Sequence, residues 1–293
     1  MQRADKKDVN IWGVNIRYVQ AGEGPVVLLL HGLGTSLITW YCNIDALADA
    51  GFTVIAPDLP GYGDSDKPGH LSYDPDSASE FLYDFTQELG LERFSLVGSS
   101  AGSLIVGLFA LEHPESVDKL VLVGPGGLGR QVSWFLRLIS VPVVGELVYR
   151  PGLHDRISIS KRIFHQPPDF LDDLLPEMYR VRALPGARLA MLRSVRSSIN
   201  YWGLRRQQNI LDRLRGLSVP LMTVWGEKDS IIPISQADAV REALPDSIVY
   251  TVPECGHWPH MEKHELFNGL LTSFLTGTMG ENEPRPTPNS PGP

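Results

Sequence analysis

Continuous apolar runs, separated by amphipathic segments, constrain this chain more than any other feature. PVVLLLHG (25–32), FTVIAPDL (52–59), FSLVGSS (94–100), the run from Lys119 to Gly124, VPLMTVWGEKD (219–229) and SIVYTVPE (247–254) are short and rich in Val, Leu and Ile. They lack the polar alternation of a half-exposed strand, so they predict strands buried on both faces. The segments between them read as helices. One spans 38–51 and ends on Gly51. Another spans 76–89, with an Asp N-cap and a closing Gly90. A third spans 101–113 and is stopped by Pro114. Two more are expected at 235–244 and 265–276. Strand and helix in alternation predict an α/β fold with a mostly parallel sheet between two helical layers. Ahead of it, Val9–Trp12 and Val14–Gln20 predict a hairpin turning near Gly13.

The rhythm breaks between about 125 and 216. This stretch has helical pieces rich in Arg, Leu and Pro and no clear buried strand. It also differs in charge. Residues 130–215 hold 15 Lys/Arg against 7 Asp/Glu, while the rest of the chain holds 11 against 27 and the whole carries −8. The expected organisation is a core of 1–125 and 216–278, with a helical cap, 126–215, inserted after the sixth strand. The Pro/Gly-rich tail, 279–293, is expected to be disordered.

Other signals narrow the function. MQRADKKDVNIWG has no apolar core of a signal peptide. The most apolar long stretch, VSWFLRLISVPVVGELVY, is interrupted by Arg137, Pro142, Gly145 and Glu146, so no stable membrane insertion is expected. Two cysteines, Cys42 and Cys255, read as reduced thiols, and the expected location is cytoplasmic. An acidic chain without finger or RNP motifs predicts no nucleic-acid partner. Gly124-Pro-Gly-Gly-Leu-Gly129 matches G-x-G-x-x-G but opens the irregular insertion instead of a βαβ unit. HMEKH (260–264) lacks the Glu that a zinc motif needs after its first His, and reads as a solvated helix start. No metal or cofactor is called for. A homodimer stays open.

The chemistry centres on LVGSSAGS (96–103). Gly98-Ser-Ser100-Ala-Gly102 is G-x-S-x-G between a strand and a helix. A serine on such a sharp turn needs small neighbours two residues to either side, and only Ser100 has glycine at both. Ser103 reads as a helix-packing residue. Asp229 and His257 follow the next strand ends, where sites form in open α/β sheets. Together they supply a base and an orienting acid for Ser100. HGLG (31–34) follows the first buried strand and is placed for its Leu33 N–H to join that of Ala101 as an oxyanion hole. His31 reads as shaping that loop, and Asp58, Asp64 and Asp66 as organising the turn after their strand.

HGLG, APDLPGYGDSDKP (56–68), VGSSAG, WGEKDSIIP (225–233) and CGHWPHME (255–262) together resemble the α/β-hydrolases over nearly all of residues 9–277. APDLPGYGDSDKP is similar to epoxide hydrolases and haloalkane dehalogenases. Those use an aspartate nucleophile where this chain has Ser100, so a serine hydrolase is implied. Two serine branches stay open. One is a carboxylesterase or lipase acting on a small-molecule ester or related carbonyl compound. The other is a carbon–carbon hydrolase of aromatic meta-cleavage products. CGHW resembles the second branch, which implies substrate contacts from Trp258 and from Arg188 in ARLAML. Ser99 stands where that branch carries Asn, which favours esters. Gly32 and Ser99, beside the oxyanion hole and the nucleophile, are the remaining candidate substrate contacts. A hydrolase-fold ligand receptor that keeps its triad is a further alternative.

Overall fold

The computed structural model describes residues 4–149 and 162–279. Its strands are β1 (Asp5–Ile11), β2 (Val14–Ala21), β3 (Val26–Leu30), β4 (Thr53–Pro57), β5 (Phe94–Ser99), β6 (Val117–Val123), β7 (Ile199–Asn200), β8 (Gly203–Leu204), β9 (Leu221–Gly226) and β10 (Ile248–Val252). Its helices are α1 (Tyr41–Asp49), α2 (Pro75–Glu88), α3 (Ala101–Glu112), α4 (Trp134–Ser140), α5 (Val144–Val148), α6 (Leu171–Ala183), α7 (Ala187–Ser198), α8 (Leu211–Leu214), α9 (Ala237–Ala243), α10 (Pro259–Glu262) and α11 (His264–Thr276).

Eight strands form one sheet in the order β1-β2-β4-β3-β5-β6-β9-β10. β2 pairs antiparallel with β1 and β4. From β4 to β10 every pairing is parallel. The β1–β2 turn is Trp12-Gly13, with φ of 57° and 77°, the left-handed pair that a two-residue hairpin loop requires. In β3, Leu28 and Leu30 enter one apolar cluster with α2, α3 and α9. Val27 and Leu29 enter the opposite cluster with α1 and α11. Burial on both faces is the reason the central strands read as unbroken apolar runs.

The structure refines several expected boundaries. The segment 38–51 is a 3-10 turn, Leu37–Trp40, capped by Ser36 and followed by α1. The cap of α2 is Asp74, which accepts the Ser77 N–H at 2.9 Å, with Pro75 at the first helical position. Between β6 and β9 lie α4 to α8, and also the β7–β8 hairpin, which was not expected there. Two residues per strand are too few to show a period of two. Residues 150–161 of this stretch, and the expected disordered tail apart from Met279, lie outside the described residues.

The helices of this stretch bury small clusters of their own. Val132, Ile139, Tyr149, Met191 and Val195 form one. Phe164, Leu171, Leu175 and Met178 form another with Trp258 and Met261, which follow β10. The second cluster ties the inserted helices to the loop that carries His257.

Candidate active site

β5 ends at Ser99 and α3 begins at Ala101, so Ser100 alone turns the chain. Its φ of 56° and ψ of −117° are strained for a residue with a side chain. The flanking glycines are required by contact. A β-carbon on Gly98 would lie 2.4 Å from the Gly102 carbonyl oxygen, and one on Gly102 would lie 2.5 Å from that of Leu30. Ser103 is the packing residue expected: its hydroxyl donates to the Gly98 carbonyl at 2.7 Å and accepts the Val123 N–H at 3.2 Å.

Asp229 lies in the turn after β9 and His257 in the loop after β10. Asp229 Oδ1 accepts the N–H groups of Ile231 and Ile232 at 2.8 and 2.9 Å. That fixes the carboxylate and leaves Oδ2 for His257 Nδ1, 2.7 Å away. The carboxylate only accepts, so Nδ1 carries the proton and Nε2 presents a lone pair. That lone pair faces Ser100 Oγ at 2.9 Å. The Asp229 and His257 side chains are 0% and 4% exposed. A hydroxyl, an imidazole and a carboxylate in this order can pass the hydroxyl proton to Nε2 as the oxygen attacks.

His31 is sealed beneath the neighbouring loop. Its Nε2 accepts the Leu59 N–H at 3.0 Å, so Nδ1 bears the hydrogen and donates to the Gly32 carbonyl at 2.8 Å. Burial lowers its pKa to about 4, which keeps the ring neutral. The ring sets the curve of HGLG, as expected. A β-carbon on Gly32 would stand 2.9 Å from Ser100 Cβ, so the loop presses against the serine. Leu33 and Ala101 both border the space beside Ser100. Among the described residues neither N–H is taken up by a protein acceptor. The three aspartates after β4 hold their turn: Asp58 accepts the N–H of Leu37 and of Asp64, Asp66 that of Asn15, and Asp64 pairs with Arg180.

Two cavities meet at Ser100. The larger, about 270 Å³, runs between apolar walls that include Leu59, Leu104, Ile105, Val132 and Ile232. The smaller, about 120 Å³, is bounded by His257, Trp258, Met178, Tyr149, Arg162 and Arg182. Gly32 borders both cavities, and Trp258 the smaller one.

Two expected substrate contacts lie elsewhere. Ser99 borders neither cavity. Alternation in β5 turns it, like Val97, toward the α1–α11 layer, where it is 1% exposed. Arg188 donates to the carbonyl oxygens of Glu146 and, at 2.9 Å, Tyr149. It caps the carboxyl end of α5 and does not reach a cavity.

Sequence reading missed several supporting residues. Glu262, in α10, has a buried carboxylate that accepts the N–H groups of Gly256, His165 and Gln166 at 2.9, 3.1 and 2.7 Å. An acid in the otherwise apolar run PHME was the available signal. HMEKH is therefore not a solvated start. His260 is 0% exposed with its ring 4.4 Å from that of Trp40, and burial lowers its pKa to about 3. The G-x-G-x-x-G stretch packs around the site. A β-carbon on Gly124 would meet the His257 carbonyl oxygen at 2.8 Å, and the Gly126 N–H donates to the Ser100 carbonyl at 3.0 Å. Both cysteines are free thiols. Among the described residues no group of three His, Cys, Asp or Glu side chains is placed to hold a metal, and no helix is long and apolar enough to cross a membrane.

The same architecture recurs in known proteins. An uncharacterized protein of Mycobacterium tuberculosis is 32% identical over 275 residues, 88% of this chain and 77% of that protein. The 2-hydroxy-6-oxo-6-phenylhexa-2,4-dienoate hydrolase of Comamonas testosteroni is 27% identical over 265 residues, 89% of this chain and 91% of that one. Among solved structures, a bacterial membrane phospholipase A described as a virulence factor superposes with a TM-score of 0.79 at 26% identity, over 94% of this chain and 86% of that one. The family model of the alpha/beta hydrolase fold matches residues 25–144 and 186–264, and with the serine elbow and the parallel sheet it establishes that this chain belongs to the alpha/beta hydrolase fold family.

Proposed function

We propose that this protein is a serine hydrolase that cleaves carboxylic esters through an acyl-enzyme. The observation that carries the reading is the unbroken chain Ser100 Oγ–His257 Nε2, 2.9 Å, and His257 Nδ1–Asp229 Oδ2, 2.7 Å. Ser100 Oγ attacks the ester carbonyl carbon as its proton passes to His257 Nε2. Asp229 holds the tautomer and stabilises the imidazolium. The Leu33 and Ala101 N–H groups take the developing oxyanion. The tetrahedral centre collapses, the C–O bond breaks and His257 protonates the departing alcohol. Water, deprotonated by His257, then attacks the acyl carbon, and the acid and Ser100 are released. In this reading the α4–α8 stretch is a cap that excludes water from the acyl-enzyme.

A second reading is carbon–carbon hydrolysis of a 2-hydroxy-6-oxo-dienoate. Support comes from the Comamonas relative and from Trp258 beside His257 on the smaller cavity. Ser99, which stands where that branch carries Asn, borders neither cavity and so does not decide between the two readings. The deciding experiment compares turnover of p-nitrophenyl esters of rising acyl length with that of 2-hydroxy-6-oxo-6-phenylhexa-2,4-dienoate, with fluorophosphonate labelling of Ser100 in parallel. Preference for the dienoate overturns the ester reading. Release of a single equivalent of p-nitrophenol, with no further turnover, points to a ligand receptor.

A further inference from the structure

Ser100 borders both cavities, whereas His257 borders the smaller and not the larger. A general acid must lie within hydrogen-bond reach of the atom it protonates. The leaving group therefore lies on the His257 side, and the acyl chain runs into the larger cavity. That cavity extends from Ser100 to Trp12, His70 and Glu80, which are exposed. Between these ends its wall is mostly apolar, so the few hydroxyl and ring N–H donors on it decide which polar groups a bound chain can carry.

Nearly all of these donors are committed. Trp12 Nε1 donates to Asp84 at 2.6 Å, Ser72 and Ser77 donate to the Asp74 carboxylate, and the Tyr73 hydroxyl donates to the Pro68 carbonyl at 2.9 Å. The Ser197 hydroxyl donates to the Ser194 carbonyl at 2.9 Å, which leaves Ser197 Oγ to accept from Ser198 at 3.4 Å. Tyr62 and Ser194 differ. The Tyr62 ring stands edge-on to His31, centroids 5.5 Å apart, and its hydroxyl donates to Ser194 Oγ at 2.7 Å. Burial raises the Tyr62 pKa and keeps that hydroxyl a donor. Two hydroxyls hold two hydrogens, and the bond between them uses one. Among the described residues the other, on Ser194 Oγ, has no acceptor. Ser194 is 8% exposed and borders the larger cavity. Buried donors are as a rule paired. Tyr62 occupies one acceptor position of Ser194 Oγ and so restricts where the remaining hydrogen can turn.

We infer that the acyl group of the natural substrate carries an acceptor oxygen along its chain, a ketone, ether or hydroxyl, which takes the Ser194 hydrogen while Tyr62 holds Ser194 Oγ in place. This rests on the ester-hydrolase reading above. A plain hydrocarbon chain leaves the Ser194 donor unpaired against apolar atoms. An oxygen at another depth meets apolar side chains and loses its own partner from water. The subsite therefore reads the position of the oxygen as well as its presence.

The test uses the full chain, p-nitrophenyl octanoate and its 4-, 5-, 6- and 7-oxo derivatives. The quantity read is the ratio of kcat/KM for each oxo ester over the plain one, which cancels any change common to both. We expect a ratio of about three or more at one position and below one at the others, because a paired hydrogen bond adds a few-fold and an unpaired buried carbonyl costs at least as much. Ser194→Ala should lower the peak ratio about tenfold, since a site lacking its donor no longer favours the oxygen. Tyr62→Phe should lower it several-fold, and Ser194→Thr, which keeps a hydroxyl, should retain part of it. Ether and hydroxyl congeners at the peak position then assign the oxygen among its three sources. A ratio of one or less at every position, or a peak unmoved in Ser194→Ala, overturns the inference and leaves the ester reading standing. Turnover of neither the plain nor the oxo esters overturns the ester reading itself.

Discussion

The carboxylate of Glu262 accepts the N–H of Gly256 at 2.9 Å, and so anchors the residue that precedes His257. The same carboxylate holds the N–H groups of His165 and Gln166. Glu262→Gln replaces one acceptor with a donor facing backbone N–H groups. A buried hydrogen-bonded group lost in this way costs about 1–3 kcal/mol. The expected outcome is a lower Tm in calorimetry and a lower kcat, with fluorophosphonate labelling of Ser100 slowed in proportion to kcat.

Ser100→Ala should retain the fold, since the side chain makes no bond on which the turn depends, and should lower kcat by about 10⁴-fold or more. Asp229→Asn should cost about 10⁴-fold, because an amide imposes the wrong imidazole tautomer. Single-turnover hydrolysis of a p-nitrophenyl ester checks both. A rate within tenfold of wild type for Ser100→Ala removes it as nucleophile.

The apolar walls of the larger cavity make acyl length a measurable variable. Burying a methylene is worth about 0.8 kcal/mol, close to fourfold in kcat/KM. The rate on p-nitrophenyl esters should climb from acetate by up to that factor per carbon, then fall once the roughly 270 Å³ is filled. A profile that is flat from two to eight carbons would show that the chain binds elsewhere.

Gly32→Ala would place a β-carbon 2.9 Å from Ser100 Cβ and 3.0 Å from the Ser99 carbonyl oxygen. Neither neighbour can yield, because the elbow is already packed against Gly98 and Gly102. The loop must retreat and take the Leu33 N–H with it. Losing an oxyanion donor costs about 10²–10³-fold in kcat. A kcat loss with little change in KM is expected from steady-state kinetics.

Stability should fall on acidification. His31 and His260 have pKa values near 4 and 3 in the folded chain, because burial disfavours their charged forms. Unfolded, each takes a proton near 6.5. Their contribution is complete above that value and is lost as pH drops toward 4. Asp58 acts in the opposite sense: burial raises it to about 6, so its contribution fades as pH rises through that value. The two histidine shifts together exceed the Asp58 shift. Tm should therefore be lower at pH 4.5 than at pH 7, and the difference should shrink in His260→Phe.

Much of this was legible in the chain. Apolar runs without alternation mark buried strands, and glycines two residues to either side of Ser100 mark a turn that no other spacing permits. Asp229 and His257 follow from the rule that sites gather at strand ends. What stayed hidden depends on contacts far along the chain. Nothing near Arg188 shows that its guanidinium turns back to the carbonyls of Glu146 and Tyr149. Nothing near Gly124 shows that the His257 ring lies against it. Ser99 was misplaced for a different reason. Adjacency to Ser100 suggested a shared site, yet strand alternation sends it to the other side of the sheet.

The His257 N–H donates to the Ile163 carbonyl at 2.6 Å, and Glu262 reaches the two residues that follow Phe164. The roof over the site is thus fastened to the backbone of the base itself. Exchange of the whole roof between relatives, a direct route to new substrates, must bring along a replacement for these fastenings. Point changes in α7, whose Ser194 and Ser198 border the larger cavity, carry no such condition. On the ester-hydrolase reading, diversification toward new acyl groups is therefore easier by drift within α7 than by transplantation.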